Sequence, residues 1–377
     1  MPRRSPAPLL LLPGGLALLV GMDAGLTLAG VPAPVGSSQL AELHGPLMVL
    51  GFLGTVIALE RATALRSAWG FLAPGLCAAG ALALVLLPAP LLGRLLLTQG
   101  LLTLALVYAA LWRRNRDVTV AVEGLGAVLA AAAAGLLTRV EVATVLPLLI
   151  AFIVLTIAAE RVELARLAMP AGAGDRLALL SGAVAVTAGA AMVLAGAPVA
   201  GTVAWRMLGL SLLVLTLWLV RHDVARRLIH STGLPRFAAA ALLAGYLWLL
   251  VAGGLMVLVG RPEGSFYDVV VHATFLGFAM SMILAHAPVI LPAVLKVRLP
   301  YHRAMWAPLV LLHVTLASRV ATLGMVGIGI RALPLWQLAL LGNVAALLLF
   351  IITAVTVGTR AARADRPRTS PRTEIHA

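Results

Sequence analysis

Long apolar runs follow one another along almost the whole chain, separated by short polar breaks that often contain arginine. An apolar helix needs about 20 residues to cross a bilayer, and twelve runs approach or exceed that length. They predict an all-α, polytopic membrane protein with a single transmembrane domain over residues 1–359 and a disordered, basic cytoplasmic tail over 360–377. The predicted helices cover residues 8–30, 43–65, 69–88, 91–112, 118–138, 141–163, 177–196, 201–220, 237–259, 267–295, 304–325 and 334–357.

The composition agrees with this pattern and excludes two classes of protein. Of the 377 residues, 62% are hydrophobic and 11% are charged, whereas a soluble domain has about 25% charged residues. The net charge of +14 comes from arginines scattered between apolar runs, which is typical of membrane loops and not of a nucleic-acid-binding surface. The predicted partner of the chain is therefore the lipid bilayer, and no nucleic acid is expected.

The distribution of basic residues predicts the orientation in a bacterial inner membrane. With the N-terminus inside, 22 of the 28 basic residues fall in inner segments, so both termini are predicted to be cytoplasmic. The first run is longer than the apolar region of about 7–15 residues in a signal peptide, and we interpret it as a membrane span. Cleavage there would leave eleven spans with the same inner loops. Five basic residues lie at the outer side: Arg94, Arg139, Arg206, Arg261 and Arg331.

An internal repeat relates helices that are four spans apart. Residues 51–66 and 151–166 match at six of sixteen positions, including a Glu-Arg pair at residues 60–61 and 160–161. A related segment in the tenth span places His286 roughly where Glu60 stands. We therefore predict three pseudo-symmetric four-helix units. The favoured interpretation of the Glu-Arg pairs is that they pin helix ends at the membrane interface and do not move protons.

Four of the eight histidines lie in or at the edge of apolar helices, where an ionisable group is a candidate for function. His44 and His272 are predicted at similar depth near the outer ends of the second and tenth spans. Two such imidazoles suit a haem iron as axial ligands, and Arg94 and Arg206 would meet its propionates. Because the chain has one cysteine and no CxxCH motif, the expected group is b-type haem.

His286 and His313 are predicted to lie level with each other nearer the inner side, on neighbouring antiparallel helices. One interpretation is a metal site, for which Met280 or Met282 would add a soft ligand that favours copper(I). The other is a hydrogen-bonded pair without metal. The remaining histidines, in inner loops and the tail, are expected to be solvated: His222, His230, His302 and His376.

Twelve spans, apparent three-fold units and histidines near the outer ends of helices 2 and 10 resemble the catalytic subunit of haem–copper oxidases. The resemblance implies that His44 and His272 are axial ligands of a low-spin haem. However, the copper ligands of that superfamily lie on helices 6 and 7, and residues 141–163 and 177–196 contain no histidine. The resemblance therefore does not extend to the ligands needed for oxygen reduction.

The segments HGPLMVLGFLGTVIALERA (44–62) and HATFLGFAMSMILAHAP (272–288) are more similar to NnrS-type bacterial membrane proteins. This resemblance implies haem and copper, and redox chemistry or nitric oxide handling with a membrane or periplasmic electron donor. Two other hypotheses stay open: a proton- or metal-coupled transporter without haem, and an assembly factor whose histidines are merely buried.

Overall fold

The computed structural model describes residues 6–168, 173–196, 198–327 and 333–364, and this part of the chain is helical and contains no β-strand. It includes twelve helices that are long and apolar enough to cross a membrane, which confirms the predicted fold class. We number them α1 (Ala7–Leu28), α2 (His44–Leu65), α3 (Ala68–Leu86), α4 (Leu91–Asn115), α5 (Val118–Leu136), α6 (Val142–Ala165), α7 (Gly174–Leu194), α8 (Gly201–His222), α9 (Gly233–Val259), α10 (Gly264–Leu295), α11 (Arg303–Met325) and α12 (Leu333–Ala364).

The helix boundaries follow the predicted spans closely, and the largest difference is at the end of α12. This helix continues to Ala364, although the tail was predicted to be disordered from residue 360. The sequence there is rich in alanine and arginine, which are good helix formers, so the helix extends beyond its apolar part. The rest of the predicted tail, residues 365–377, lies outside the described residues.

Nine helices form an outer ring, and three helices lie inside it. α1 packs on α3, α5 on α7, α9 on α11, and α12 closes the ring against α1. The first three of these contacts each pass over one helix, and the helices passed over are α2, α6 and α10. We call these three the central helices; α10 contacts both α2 and α6. Each predicted four-helix unit thus contributes its second helix to the centre.

Glycines allow the closest helix contacts in the ring. A Cβ atom at Gly80 on α3 would lie 2.8 Å from the backbone nitrogen of Leu97 on α4, and one at Gly100 would lie 2.8 Å from the backbone nitrogen of Cys77. Small residues at helix interfaces let backbones approach and gain dispersion contacts, which drive association inside a bilayer. The α3–α4 pair is therefore packed backbone against backbone.

Two of the central helices contain a segment of wider, π-helical turns. In α2 it covers Leu47–Leu53, and in α10 it covers Ala273–Ala279. The segments begin three residues after His44 and one residue after His272. Such segments are rare and frequently occur at functional sites, and here both follow a histidine that the sequence singles out.

The two ends of the bundle differ in charge. α2, α4 and α10 terminate at Arg66, Arg116 and Lys296, and we call this the basic end. His44 and His272 lie near the opposite end. Glu60 is sixteen residues after His44 on α2, a displacement of about 24 Å along a helix, so the two groups of candidate residues lie far apart.

Candidate functional site

A cavity opens between the central helices α2 and α10 and the ring helices α1, α11 and α12. Its wall is mostly apolar, with a few polar side chains that converge from different helices. Among the residues that line it are His44, Asp268, His272, Arg319, Trp336 and Asn343. Ligand sites in proteins commonly combine an apolar wall with a few placed polar groups.

His44 begins α2, and the adjacent helix α1 holds its ring. The Nδ1 atom lies 2.7 Å from the carbonyl oxygen of Gly21. Because a carbonyl only accepts hydrogen bonds, Nδ1 carries the proton and donates it. The Nε2 atom of His44 therefore keeps its lone pair.

His272 is held in the same state by Asp268, one turn earlier on α10. Its Nδ1 atom lies 2.8 Å from the carbonyl oxygen of Asp268 and 3.1 Å from the Oδ1 atom of that residue. Arg319 on α11 donates to both carboxylate oxygens of Asp268, at 3.0 and 2.5 Å. A histidine whose Nδ1–H is bound to a carboxylate or carbonyl is the usual arrangement of a metal ligand that coordinates through Nε2.

The two rings are close to each other. Their centres are 6.3 Å apart, and their planes differ by 23°. Two imidazoles that share one metal ion, with each nitrogen about 2 Å from it, have ring centres about 6 Å apart. The separation, the tautomers and the similar planes all fit one ion held between His44 and His272.

Two buried polar atoms at the cavity have no hydrogen-bond partner within the described part of the chain. They are Nε1 of Trp336 and Oδ1 of Asn343, both on α12. Arg319 lies over the Trp336 ring, 5.6 Å from its centre. The cavity therefore presents an unused donor and an unused acceptor beside the Arg319–Asp268 ion pair, which fit a largely apolar ligand with a few polar groups.

Arg94 and Arg206 do not take the role that the sequence predicts for them. Neither is among the residues that line the cavity, as far as the chain is described. Arg94 belongs to α4 and Arg206 to α8, and the cavity is formed by other helices. The arginine at the cavity is Arg319, because α11 packs beside α10 and brings it to Asp268.

His286 and His313 belong to two separate hydrogen-bond networks. Nη1 of Arg161 donates to Nε2 of His286 at 3.0 Å, and Nδ1 of His286 faces Glu160 at 3.8 Å. Nε1 of Trp248 donates to Nδ1 of His313 at 2.9 Å. Since Arg and Trp side chains only donate, each bond uses a lone pair that a metal would need.

Ser281 lies 3.5 Å from Nε2 of His313, the nitrogen that carries the proton when Trp248 donates to Nδ1. A metal on that nitrogen would require the other tautomer, and therefore the loss of the Trp248 bond. The metal site that the sequence predicts at His286 and His313 stays a prediction, and in this structure each ring is engaged elsewhere.

The two Glu-Arg pairs meet inside the bundle instead of anchoring separate helix ends. Arg161 is buried and binds Asp223 through two hydrogen bonds of 2.9 and 2.8 Å. Arg61 contacts Glu60 at 2.6 Å and Glu123 at 3.5 Å. The interpretation of these pairs as interface anchors is therefore incomplete, because α2 and α6 are both central and turn their charges toward each other.

Several important side chains escaped the sequence analysis, although all but one had a signal. Asp268 precedes His272 by four residues, the spacing that puts two side chains on one face of a helix. Arg319 and Glu123 are charged residues within apolar spans, which are expensive and usually functional. Asp223 had no such signal, because it directly follows the end of α8.

The described part of the chain offers no larger metal-binding group. Within the described residues, no three His, Cys, Asp or Glu side chains are grouped so that they could hold a metal ion. Of the histidines expected to be solvated, His222 is exposed, and His302 caps a short helix by accepting from the backbone of Ala304 at 3.1 Å. His376 lies outside the described residues. The His44–His272 pair is thus the best candidate for a ligated group.

Comparison with known families and proteins gives one match. A family model described as a domain of unknown function, DUF8744, matches residues 7–359. A search of curated proteins finds no match. The matched range runs from the first residue of α1 to within six residues of the end of α12, so the family is defined by the whole bundle.

Proposed function

The chain belongs to the DUF8744 family, whose description names no activity, and from the geometry we propose that the protein binds b-type haem through His44 and His272. The proposed activity is redox chemistry or nitric oxide handling at the bacterial inner membrane. In this proposal the basic end faces the cytoplasm and the cavity lies near the outer surface, where a membrane or periplasmic donor would deliver electrons.

One observation carries the proposal. His44 and His272 lie on two different central helices with ring centres 6.3 Å apart, and each has its Nδ1 proton bound to an oxygen. Both Nε2 lone pairs are therefore available for the same ion. The other two intramembrane histidines, His286 and His313, each give up a lone pair to a neighbouring donor, which favours His44 and His272 as the ligands.

The surrounding residues suit a haem better than a bare metal ion. The wall includes Phe52, Phe275 and Leu347, which would pack on a flat macrocycle. Nε1 of Trp336, and the Nη1 atom of Arg319 that the Asp268 carboxylate does not engage, would donate hydrogen bonds to its propionates. A haem held by His44 and His272 would supply one-electron transfer.

The proposal is tested by the visible spectrum of the purified protein from haem-replete cells. We expect a low-spin b-type spectrum, with His44→Ala and His272→Ala each removing the low-spin signal. His302→Ala is the control, because that side chain lies in the loop before α11 and should leave the spectrum intact. Equal loss from all three variants would mean that the assay reports folding and not ligation.

A protein that is colourless, and that stays colourless after haem reconstitution, would contradict the proposal. That outcome favours the alternative of a proton- or metal-coupled transporter without haem. The observation on its side is the group of ionisable side chains on the central helices at the basic end, which includes Glu60, Glu160 and His286.

Copper at His286 and His313 is tested on the same preparation. If the site exists, His286→Ala should abolish bound copper and leave the haem spectrum unchanged. Less than about one tenth of an equivalent of copper after loading the wild type would contradict it. The pair would then keep the hydrogen-bonding roles described above.

A further inference from the structure

At the basic end, one guanidinium is surrounded by carboxylates from three helices. Arg61 on α2 lies 2.6 Å from its neighbour Glu60, 3.5 Å from Glu123 on α5 and 3.6 Å from Glu163 on α6. Glu163 is 44% exposed at the surface of the bundle, so ionisation of its carboxyl group costs little free energy. The other two carboxylates lie deeper and share the single positive charge.

The second arginine of the group does not compensate for them. Arg161 already forms two hydrogen bonds with the carboxylate of Asp223, which neutralises it. It also donates to His286, which is therefore neutral. Glu160 lies 3.8 Å from His286 and interacts with both arginines, and it adds a third buried carboxylate. Arg61 thus faces Glu60, Glu123 and Glu160, and full ionisation would leave two negative charges unbalanced.

An independent observation concerns the hydrogen bonding of Glu123. Its side chain is 1% exposed, and neither carboxylate oxygen has a hydrogen-bond partner within the described residues. The hydroxyl of Tyr108 on α4 is also buried without a partner in that part of the chain. Tyr108 is near enough to Glu123 and Arg61 to interact electrostatically with both. A buried carboxylate without hydrogen bonds costs more free energy than a protonated carboxyl group at the same place.

We propose that Glu123, Glu60 and Glu160 form a proton-binding site, in which bound protons balance the negative charge that Arg61 does not neutralise. Each proton converts one carboxylate into a carboxylic acid, which can also donate a hydrogen bond. The proposal does not rest on haem, and the site is about 24 Å along α2 from His44.

A metal cation is a poorer occupant of the same place. The Arg61 guanidinium lies among the carboxylates and would repel it. Within the described residues, these side chains also do not form a group of three that could hold a metal ion. Protons need no convergent set of ligands, so they fit the arrangement better.

Exposure at the surface of the bundle falls stepwise into the site. Glu163 is 44% exposed, Glu60 is 23%, Glu160 is 15% and Glu123 is 1%. Protons would therefore enter from the aqueous phase at the basic end, and Glu123 would exchange last. The titratable groups that face Glu123 are Arg61 and Glu60 from α2, Tyr108 from α4, and Glu160 and Glu163 from α6.

Infrared spectroscopy of the full chain in lipid nanodiscs tests the proposal, because a carboxylic acid has a C=O stretching band that a carboxylate lacks. We expect the wild type to show this band at neutral pH and to lose it on alkaline titration. Glu123→Gln, a neutral isostere of the protonated acid, should remove part of the band. Glu163→Gln, the exposed control, should leave the neutral-pH band unchanged.

A wild type without the band at neutral pH would overturn the proposal, and so would a band that is the same in Glu123→Gln as in the wild type. If the band disappears when Na⁺ replaces choline at constant pH, the site binds a metal cation. This result would also overturn the proposal. If Glu123→Gln does not fold, Glu60→Gln and Glu160→Gln take its place. The haem spectrum should be the same in every folded variant.

Discussion

Gly25 on α1 leaves the space that the ring of His44 occupies. A Cβ atom at this position would lie 2.8 Å from Cε1 and 2.9 Å from Nδ1 of that ring, closer than real contacts allow. The ring would have to turn, and Nδ1 would lose its bond to Gly21. The orientation of His44, one of the proposed ligands, thus depends on the absence of a side chain at Gly25 on α1.

We therefore expect Gly25→Ala to weaken or abolish the low-spin haem signal although no ligand is changed. Gly15→Ala is the control on the same helix, because nothing lies within 4 Å of a Cβ at Gly15. The measurement is the visible spectrum per mole of purified, folded protein. A full signal in Gly25→Ala would mean that the ring of His44 is not needed in this orientation.

Asp268 should tune the proposed haem through His272. Asp268→Asn removes the charge that holds Nδ1–H and that pairs with Arg319, and loss of such a partner typically costs 10–100-fold in affinity for a ligated group. We expect weaker haem binding and a changed reduction potential, measured by haem titration of the apoprotein and by redox titration. Glu263→Gln, at an exposed residue that precedes α10, should change neither. Equal affinities in both variants would contradict the role of Asp268.

The contact between α3 and α4 should be intolerant of any side chain at Gly80. A methyl group there would meet backbone atoms of α4, at 2.8 Å from the nitrogen of Leu97 and 2.9 Å from the carbonyl oxygen of Gly93. Backbone cannot move aside like a flexible side chain, so we expect Gly80→Ala to cost about 1–3 kcal/mol. Thermal unfolding in detergent measures this. Gly75→Ala, with nothing within 4 Å, should be neutral, and equal stability of the two variants would refute the close approach.

Asp223 directly follows α8 and links three helices at the basic end. Burial by itself raises the pKa of its carboxyl group, but hydrogen bonds from Arg161, from the Tyr246 hydroxyl at 2.6 Å and from the Ala225 N–H at 2.8 Å hold that pKa below its ordinary value. Because the folded pKa is lower than the unfolded value of about 3.9, the carboxylate stabilises the fold above about pH 4. This stabilisation is lost as the pH falls through the folded pKa.

We expect Asp223→Asn to lower stability by about 3–5 kcal/mol at neutral pH, because it leaves the buried Arg161 without its counter-charge. In the wild type, protonation of Asp223 lowers stability at acidic pH. Asp223→Asn should lack this contribution to the pH dependence. Tyr246→Phe removes one hydrogen bond and should cost about 1 kcal/mol. Thermal unfolding at several pH values measures all three proteins. If Asp223→Asn were as stable as the wild type at neutral pH, the ion pair would not stabilise the bundle.

The hydrophobic pattern was sufficient to predict the helices. All twelve spans lie within a few residues of their predicted limits, because a bilayer requires about 20 apolar residues per helix wherever the helix stands in the bundle. The offset of 100 residues between the Glu60 and Glu160 segments likewise pointed to α2 and α6 as related helices. These are local or periodic properties, and a sequence displays them directly.

The tertiary structure alone decided which charged and ionisable groups meet. Arg94 and Arg206 were predicted at the cavity from their depth, but depth says nothing about the position of a helix around the ring, and α11 supplied Arg319 instead. The four intramembrane histidines look alike in the sequence. Their tautomers depend on partners 4 to 125 residues away, namely Gly21, Asp268, Arg161 and Trp248. Hydropathy and length determine that a helix crosses the membrane, whereas helix packing determines which lone pairs remain free.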